Sequence, residues 1–380
     1  MIESIMKKNY RKLIKRTEKR PEKISLFKTR IAENFAIIRK RRFYKNINWT
    51  KKQQAEFNSF WISVYGKKIS DKWNRLYESF NGIYRVDYIP EKLYSLEIEP
   101  AFNDYVYSRV FEDKSVLETV CSGCGVTFPE TVCVFGGKRF YDNNRSPITE
   151  CEAIKLLEYA DDVVLKPSVG GSSGKGILFI KSFSSLSAEE KKSAIENAGE
   201  DFIAQKRLKI SPVYSAFNPS SVNTVRVITY IIGGKVFHVP LVLRMGRDGK
   251  NVDNIHSGGI SVGINDDGTL LKDAYELNYG DKKAIYLKHP DSEVVFEGYR
   301  LSKIPEIIES AEKLHGRFPH LGIISWDFTV DDEDNIILIE ANIAGQSIWF
   351  PQMLHGKGAF GENTKAVFDE MKRLKDRRRY

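Results

Sequence analysis

Residues 163–176 read VVLKPSVGGSSGKG, an apolar run that ends in a lysine and leads into a loop of glycines and serines. A second apolar run, Ile177 to Ile180, follows at once, so the pattern predicts two antiparallel strands joined by a loop. Such a loop lets backbone N–H groups approach phosphate oxygens, and Lys166 and Lys175 would compensate the phosphate charge. The stretch is not a P-loop, because it lacks GxxxxGK[ST] between a strand and a helix. It predicts a phosphate-covering loop, and a flexible hairpin without a ligand is the alternative.

A second pattern lies at residues 323–342, IISWDFTVDDEDNIILIEAN, where an acidic turn separates two apolar runs. It predicts a β-hairpin that places Asp327 opposite Glu340, with Asn342 on the same face as Glu340. Three oxygen ligands at one spot suit Mg²⁺, which binds a few carboxylates together with phosphate oxygens and water. An unpaired carboxylate at the end of an apolar run would be costly, which favours a metal site. A salt bridge from Glu340 to Arg226 is the alternative.

Helical and β-type stretches alternate through most of the chain, which predicts an α+β body behind a helical N-terminal region. From Met1 to about Asp87 the sequence is rich in Lys, Arg and aromatic residues and has few β-branched runs. The predicted strands outside the two hairpins are Thr131 to Phe135, Val225 to Ile232 and Val236 to Leu243, and the predicted helices are Glu150 to Tyr159, Ala188 to Asn197 and Ile304 to His315.

The order of these motifs resembles the ATP-grasp superfamily. The run from Lys166 to Gly174 is similar to the lid loop of D-alanine:D-alanine ligases, and Asp327 followed by Glu340-x-Asn342 is similar to the metal-binding pattern. NIHSGG at 254–259 and HPD at 289–291 resemble the branch called sugar-transfer-associated ATP-grasp proteins. The resemblance extends roughly from Asp113 to Gln352.

The resemblance implies an ATP-grasp fold, in which two α+β subdomains clasp ATP. It divides the chain into a helical, basic N-terminal region at 1–112, an N-terminal subdomain at 113–160, a lid subdomain with the Gly-rich loop at 161–210 and a core subdomain with the metal site at 211–380.

The family pattern also implies site residues. Lys114 and Lys166 would bind the ATP phosphates, and Lys166 would also meet the edge of adenine. The hinge from Ile203 to Leu208 would hold adenine, and Arg226 would meet phosphate or the acyl intermediate. His256 is a candidate for orienting or deprotonating an amine, and a structural hydrogen bond is its alternative role. The implied sets are Arg226, His256 and Lys175 for catalysis; Lys114, Lys166, Gly170, Gly171, Ser172, Ser173, Gly174, Gln205, Lys206 and Leu208 for ATP; and Asp327, Glu340 and Asn342 for Mg²⁺.

Two positions depart from the family pattern. D-alanine ligases have an arginine two residues before the first metal aspartate, where this chain has Ser325. Stabilisation of a tetrahedral oxyanion would then fall to Arg226, Arg244 or backbone donors. Gln205 stands where the hinge often carries an acidic residue, which leaves the partner of adenine open.

The function implied by the resemblance is an ATP-dependent carboxylate-amine ligase that works through an acyl phosphate. Its partners would be a small carboxylate and an amine, with a sugar acid or amino acid of surface polysaccharide biosynthesis as the favoured substrate and no nucleic acid. A kinase that stops after phosphoryl transfer and a non-catalytic ATP-binding scaffold are the alternatives.

The net charge of +9 is unevenly distributed, because residues 1–45 carry +12 and the rest of the chain carries −3. A basic segment with apolar residues near helical spacing can bind an anionic membrane surface, and a helix packed on the protein is the alternative. No apolar run approaches the length of a bilayer span, and the N-terminus lacks a signal-type apolar core. We expect a cytoplasmic protein, with a peripheral contact at the inner membrane face as a hypothesis. The sequence predicts no oligomeric state.

The chain has four cysteines, Cys121, Cys124, Cys133 and Cys151, which are too few for a disulfide scaffold at this length. Cys121 and Cys124 form a CxxC pair, so a zinc site is one hypothesis. Cys133 lies in a predicted strand, and four reduced thiols are the simpler interpretation.

Overall fold

The computed structural model describes residues 26, 28–169, 174–253, 258–276 and 284–377. Helices and antiparallel sheets both occur in it, which confirms the α+β class and the helical N-terminal region. The helices are α1 (28–39), α2 (Arg41–Tyr44), α3 (Lys51–Tyr65), α4 (Lys72–Asn81), α5 (Glu91–Leu93), α6 (Glu99–Phe102), α7 (Ser108–Glu112), α8 (Lys114–Val120), α9 (Glu150–Ala160), α10 (Ala188–Ala198), α11 (Pro212–Ser215), α12 (Ile304–Gly316), α13 (Trp349–His355) and α14 (Thr364–Arg377).

The strands form two sheets, a smaller one from β1 to β6 and a larger one from β7 to β14. The strands are β1 (Thr131–Gly136), β2 (Arg139–Asp142), β3 (Pro147–Ile148), β4 (Val163–Pro167), β5 (Leu178–Ile180), β6 (Phe202–Lys206), β7 (Thr224–Ile232), β8 (Lys235–His238), β9 (Leu241–Met245), β10 (Ile260–Ile264), β11 (Leu270–Glu276), β12 (Ile285–Tyr286), β13 (Ile323–Val330) and β14 (Ile336–Asn342).

The smaller sheet has six strands in the order β3-β2-β1-β6-β4-β5. β4 and β5 pair antiparallel from Val163 opposite Ile180, as the lysine-ending run predicted. Helices α9 and α10 start at the capping boxes Thr149/Glu152 and Ser187/Glu190, and both cover the sheet with apolar side chains. Because β1 pairs with β6, this sheet crosses the boundary predicted between residues 160 and 161.

The larger sheet has eight strands and contains the predicted β13–β14 hairpin, in which Asp327 lies opposite Glu340. The single strand predicted from Val236 to Leu243 is wrong. β8 ends at His238 and β9 begins at Leu241, and both strands pair with β7. The interruption contains Pro240, which has no N–H to donate to a sheet ladder.

Both faces of the larger sheet carry helices. α12 packs on one face, against residues such as Leu243 and Trp326. The N-terminal helices and α14 cover part of the other face, where Trp61 and Tyr94 share one buried cluster with Tyr230 and Phe368. The N-terminal region is therefore built onto the larger sheet by burial of aromatic side chains.

None of the helices in the described ranges is long and apolar enough to cross a bilayer.

Candidate active site

A cleft lies between the two sheets, and many of the residues predicted to bind nucleotide line it. Its charged lining includes Lys114, Lys166, Arg244, Asp327 and Glu340. The other lining residues are Pro129, Val164, Gly174, Ile177, Phe179, Lys206, Arg207, Leu208, Ile210, Pro219, Ser220, Ser221, Val222, Thr224, Asn251, Val252, Asp253 and Ile339.

Three adjacent strands place three charged side chains in one row. Arg226 on β7 lies opposite Asp327 on β13, and Asp327 lies opposite Glu340 on β14. Residues directly opposite each other in neighbouring strands project from the same face of a sheet. Asn342 lies opposite Ser325, two residues along each strand, so it belongs to the same face. The predicted hairpin thus places the three proposed metal ligands on one face of the sheet, and Asp327 and Glu340, but not Asn342, line the cleft.

Asp327 is almost fully buried and is held by two arginines. Arg226 binds it with two bonds, Nε to Oδ1 at 2.9 Å and Nη2 to Oδ2 at 2.8 Å. Arg244 Nη2 lies 3.3 Å from Oδ2. Burial alone would raise the pKa of Asp327, but the two guanidinium groups hold it below its usual value. The alternative pairing of Arg226 with Glu340 is not the one observed.

Arg244 belongs to a charged network that the sequence analysis did not assign in full. Its Nη2 lies 3.4 Å from Asp253 Oδ1 and donates to Thr224 Oγ1 at 2.9 Å. Thr224 N donates to Asp253 Oδ2 at 3.0 Å. Burial would lower the pKa of Arg244, but Asp253 and Asp327 raise it, so the guanidinium stays charged. The sequence signal for Arg244 is an arginine inside the apolar strand β9. No comparable pattern surrounds Asp253.

The two predicted lysines enter the cleft from different segments. Lys114 Nζ lies 3.3 Å from Glu340 Oε1. Lys166, the lysine near the end of β4, donates from Nζ to Gln205 Oε1 at 2.9 Å. Burial, and then the neighbouring charge of Lys114, lower the pKa of Lys166 to about 8, while Glu340 opposes the shift. An anionic ligand in the cleft would therefore stabilise the charged form of Lys166.

The predicted hinge contributes unevenly to the cleft. Leu208 and Lys206 line it, and Lys206 Nζ lies 2.7 Å from Glu130 Oε1. Gln205 is buried, does not line the cleft, and also donates from Nε2 to Pro129 O at 3.3 Å. Its direct binding of nucleotide stays a prediction; in this structure its amide oxygen accepts from Lys166.

An apolar part of the cleft could take a planar base. Val164, Ile177 and Phe179 come from the smaller sheet and its loop, and Leu208 and Ile339 complete the surface. Adenine has apolar faces and polar edges, so it gains from such a slot beside cations.

The Gly-rich loop is described only in part. Gly174 lines the cleft with φ +77, and a Cβ there would lie 2.7 Å from Val252 Cγ1, so the two sides of the cleft meet closely. Lys175 is exposed and is not among the lining residues. The predicted residues Gly170, Gly171, Ser172, Ser173 and His256 lie outside the described residues.

The sequence of the chain matches a family model described as sugar-transfer associated ATP-grasp, over residues 94–367. The chain belongs to this family. Its fold is therefore the ATP-grasp fold. The match begins inside the N-terminal helical region and ends at residue 367, so it extends beyond both ends of the resemblance between Asp113 and Gln352.

Solved structures similar to this ATP-grasp chain include the VanG D-Ala:D-Ser ligase from Enterococcus faecalis (16% identity, 70% of this chain, 62% of that chain, TM-score 0.41). Others are the D-alanine-D-alanine ligase from Coxiella burnetii (12%, 71%, 60%, TM-score 0.40) and the N5-carboxyaminoimidazole synthase from Aspergillus clavatus in complex with ADP and 5-aminoimidazole ribonucleotide (14%, 64%, 47%, TM-score 0.38). The chain spans about half the length of this synthase. No curated protein matches the chain. Family membership rests on the sequence match alone.

The carboxylates of the cleft are of the kind that bind a magnesium ion together with phosphate. Among the described residues, no group of three or more His, Cys, Asp or Glu side chains is placed to hold a metal by itself. Mg²⁺ commonly binds through one or two carboxylates plus phosphate oxygens and water, which Asp327 and Glu340 can offer. A carboxylate has about four lone-pair positions, and Arg226 uses two of those on Asp327, while Arg244 forms an ion pair with it. Glu340 is the more accessible of the two carboxylates.

The His289-Pro290-Asp291 motif braces the loop before Asp253. His289 is fully buried, and its Nε2 hydrogen-bonds Gly246 O at 2.9 Å. Asp248 N donates to Asp291 Oδ2 at 2.6 Å. Burial lowers the pKa of His289, so the ring is neutral and structural.

The cysteines give no support to the zinc hypothesis. Cys121 and Cys133 are buried, Cys124 is half-buried and Cys151 is exposed, and all four are free thiols. Burial raises the pKa of Cys121 and of Cys133 to about 12, so both remain protonated.

Proposed function

We propose that this chain is an ATP-dependent carboxylate-amine ligase. The observation that carries the proposal is the cleft between the two sheets, in which Lys114, Lys166 and Arg244 surround Asp327 and Glu340. Cationic side chains next to a pair of carboxylates can bind a nucleoside triphosphate together with its metal ion.

The proposed reaction has two steps. A carboxylate oxygen of the substrate attacks the γ-phosphorus of ATP, and the bond to the β,γ-bridging oxygen breaks to release ADP. The amine nitrogen then attacks the acyl carbon, the carbon–oxygen bond to phosphate breaks, and the nitrogen loses a proton. The products are an amide, ADP and phosphate.

The residues of the chain would mainly position charge. Lys114 and Lys166 would bind phosphate oxygens. Ser325 offers no charge, so Arg244, which lines the cleft, would stabilise the oxyanion, and Arg226, which binds Asp327 and does not line the cleft, would assist it. Asp327, Glu340 and Asn342 would hold Mg²⁺, which would neutralise charge on the phosphates. Lys175 would assist from the lid loop and His256 would receive the amine proton. These roles stay proposals.

The substrate class that we favour is a uronic acid joined to an amino acid or another amine in surface polysaccharide biosynthesis. The family description, sugar-transfer associated ATP-grasp, supports this choice. We also propose three functional parts: the N-terminal helical region, a lid subdomain that extends over the whole smaller sheet at 131–206, and the core subdomain with the metal ligands.

The test is a screen of the purified full-length chain with ATP, Mg²⁺, uronic acids and amino acids. A ligase gives ADP and free phosphate in equal amounts together with an amide product by mass spectrometry. A phosphorylated substrate without free phosphate would replace the ligase by a kinase. Nucleotide binding without turnover of any pool would favour the scaffold, and Glu340→Gln serves as the inactive control.

A peripheral contact with an anionic membrane is favoured by one surface. Ile31, Phe35 and Ile38 lie on one face of α1 with exposed fractions of 41%, 60% and 59%. Exposed cations flank this stripe, among them Arg30 and Arg39. A basic helix with an exposed apolar stripe gains from both the anionic headgroups and the acyl boundary.

The membrane proposal is tested by co-sedimentation with phosphatidylserine vesicles in rising salt. Phe35→Ser and deletion of residues 1–20 should each weaken binding and leave ATP turnover with a soluble acceptor intact. Val106→Ser is the matched control, since Val106 is 75% exposed on another part of the chain. A wild-type chain that ignores the vesicles at low salt would sink the proposal.

A further inference from the structure

The N-terminal helical region reaches the end of the β13–β14 hairpin through Asn103. This side chain is 1% exposed, and all of its hydrogen-bonding groups are engaged. Its Oδ1 accepts from Gly322 N at 2.9 Å and Ile323 N at 3.0 Å. Its Nδ2 donates to Ile323 O at 2.6 Å and to Ile343 O at 2.7 Å.

These hydrogen bonds lie just beyond the last cross-strand pair of the hairpin. The last cross-strand pair of the hairpin is Ser325 opposite Asn342. One residue beyond Asn342, the amide of Asn103 connects Ile343 to Ile323, where β13 begins. The side chain thus adds one rung to the ladder at the point where the two strands stop pairing directly.

Two glutamates of the same region hold the chain that follows. Glu99 accepts from Gln346 N at 2.8 Å through Oε1 and from Gly345 N at 3.2 Å through Oε2. Glu91 Oε2 accepts from Ile348 N and Trp349 N, both at 3.0 Å. Buried backbone N–H groups without a partner are costly, so these carboxylates fix the path of the chain after Asn342.

We infer that Asn103 and Glu99 are positioning residues for Asn342, and through it for the metal bound by the hairpin. The inference rests on the proposed function, because it assumes that Asp327, Glu340 and Asn342 bind a divalent cation. Neither Asn103 nor Glu99 lines the cleft, so each acts only through the backbone that it holds. Partners that orient metal ligands in this way typically contribute about 10–100-fold to metal affinity.

The variants are chosen to change hydrogen bonding with little change in shape. Asn103→Asp replaces the donor that faces Ile323 O and Ile343 O with an acceptor. Glu99→Gln puts an amide donor against one of the two backbone N–H groups. Glu97→Gln is the matched control, because Glu97 lies in the same segment but pairs with Tyr65 at 2.5 Å and Lys375 at 2.9 Å.

The experiment measures Mn²⁺ binding by electron paramagnetic resonance with saturating ADP, beside ADP binding without metal and thermal unfolding. We expect Asn103→Asp to weaken Mn²⁺ binding by about 10–100-fold and Glu99→Gln by about 10-fold, with metal-free ADP affinity unchanged. Glu97→Gln should match the wild type. If Asn103→Asp fails to fold, Glu99→Gln decides the outcome.

Two results would overturn the inference, and they differ. Wild-type Mn²⁺ affinity in both Asn103→Asp and Glu99→Gln would refute the positioning role and leave the proposed metal site standing. A wild-type chain that binds ADP but no Mn²⁺ would refute the metal site itself and the positioning role with it.

Discussion

Asp327 in the cleft and Glu99 beneath the chain after β14 are equally buried, with 1% and 2% of their surface exposed, yet their pKa values move in opposite directions. Burial would raise both. Arg226 and Arg244 nevertheless hold the pKa of Asp327 below its usual value. Within the described ranges, the hydrogen-bond donors to Glu99 are all uncharged, and burial raises its pKa to about 7.

The comparison shows that fixed counter-charges, and not depth, decide whether a buried carboxylate is ionised. Asp327 is ionised and could bind a metal ion. The cationic side chains around it could bind a polyphosphate. Glu99 is a hydrogen-bond acceptor that organises backbone.

The largest effect should follow from Asp327→Asn or Glu340→Gln. Each removes a charge that would bind the metal, and metal stabilisation of developing charge amounts to several kcal/mol, so turnover should fall by about 1000-fold or more. The thermal unfolding temperature should change little for Glu340→Gln, because its side chain is 29% exposed. Turnover near the wild-type value in either purified variant would refute the site.

Arg244→Met should produce the largest loss of stability. It leaves Asp253 and Asp327 without a shared buried partner, and breaking a buried ion pair in this way costs about 3–5 kcal/mol. Urea unfolding measures the change. Arg373→Met removes an exposed pair with Glu370 and should cost less than about 1 kcal/mol, so equal losses in the two variants would contradict the prediction.

Glu99→Gln should flatten the dependence of stability on pH. Because the pKa of Glu99 rises from 4.5 to about 7 on folding, the folded chain keeps a proton that the unfolded chain releases between these values. The stability that this proton contributes is present below pH 4.5 and is lost as pH rises through 7. Urea unfolding from about pH 5 to about pH 8 should show a difference of about 1–3 kcal/mol between variant and wild type. If the free energy of unfolding of Glu99→Gln changes with pH as steeply as that of the wild type, the prediction is wrong.

The smallest effect concerns Lys166, whose pKa is lowered to about 8 by burial and Lys114. As pH rises through 8 the free chain loses this charge, so ADP affinity should fall, by up to about 10-fold near pH 9. Lys166→Arg stays protonated and should show a flat profile by calorimetry. A profile that falls equally in both proteins would place the titrating group elsewhere.

Several parts of the fold followed from local patterns. Each of the stretches 163–180 and 323–342 has two apolar runs separated by turn or loop residues, and both formed the predicted hairpins because the paired strands follow each other directly in the chain. The helices from Glu150 and Ala188 began at capping boxes within the sequence itself. Pro240 was visible too, and the single strand predicted across it should have been divided there.

Local patterns were enough to predict the α+β class, the two hairpins and the placement of Asp327, Glu340 and Asn342 on one sheet face, because each depends on residues close in the chain. Which charges meet depends instead on long-range packing. Arg244 reaches Asp327 across the larger sheet, Gln205 turns to Lys166, and Asn103 joins the hairpin from 220 residues away. Such contacts depend on strand order and on packing of the N-terminal helices, which no local spacing encodes.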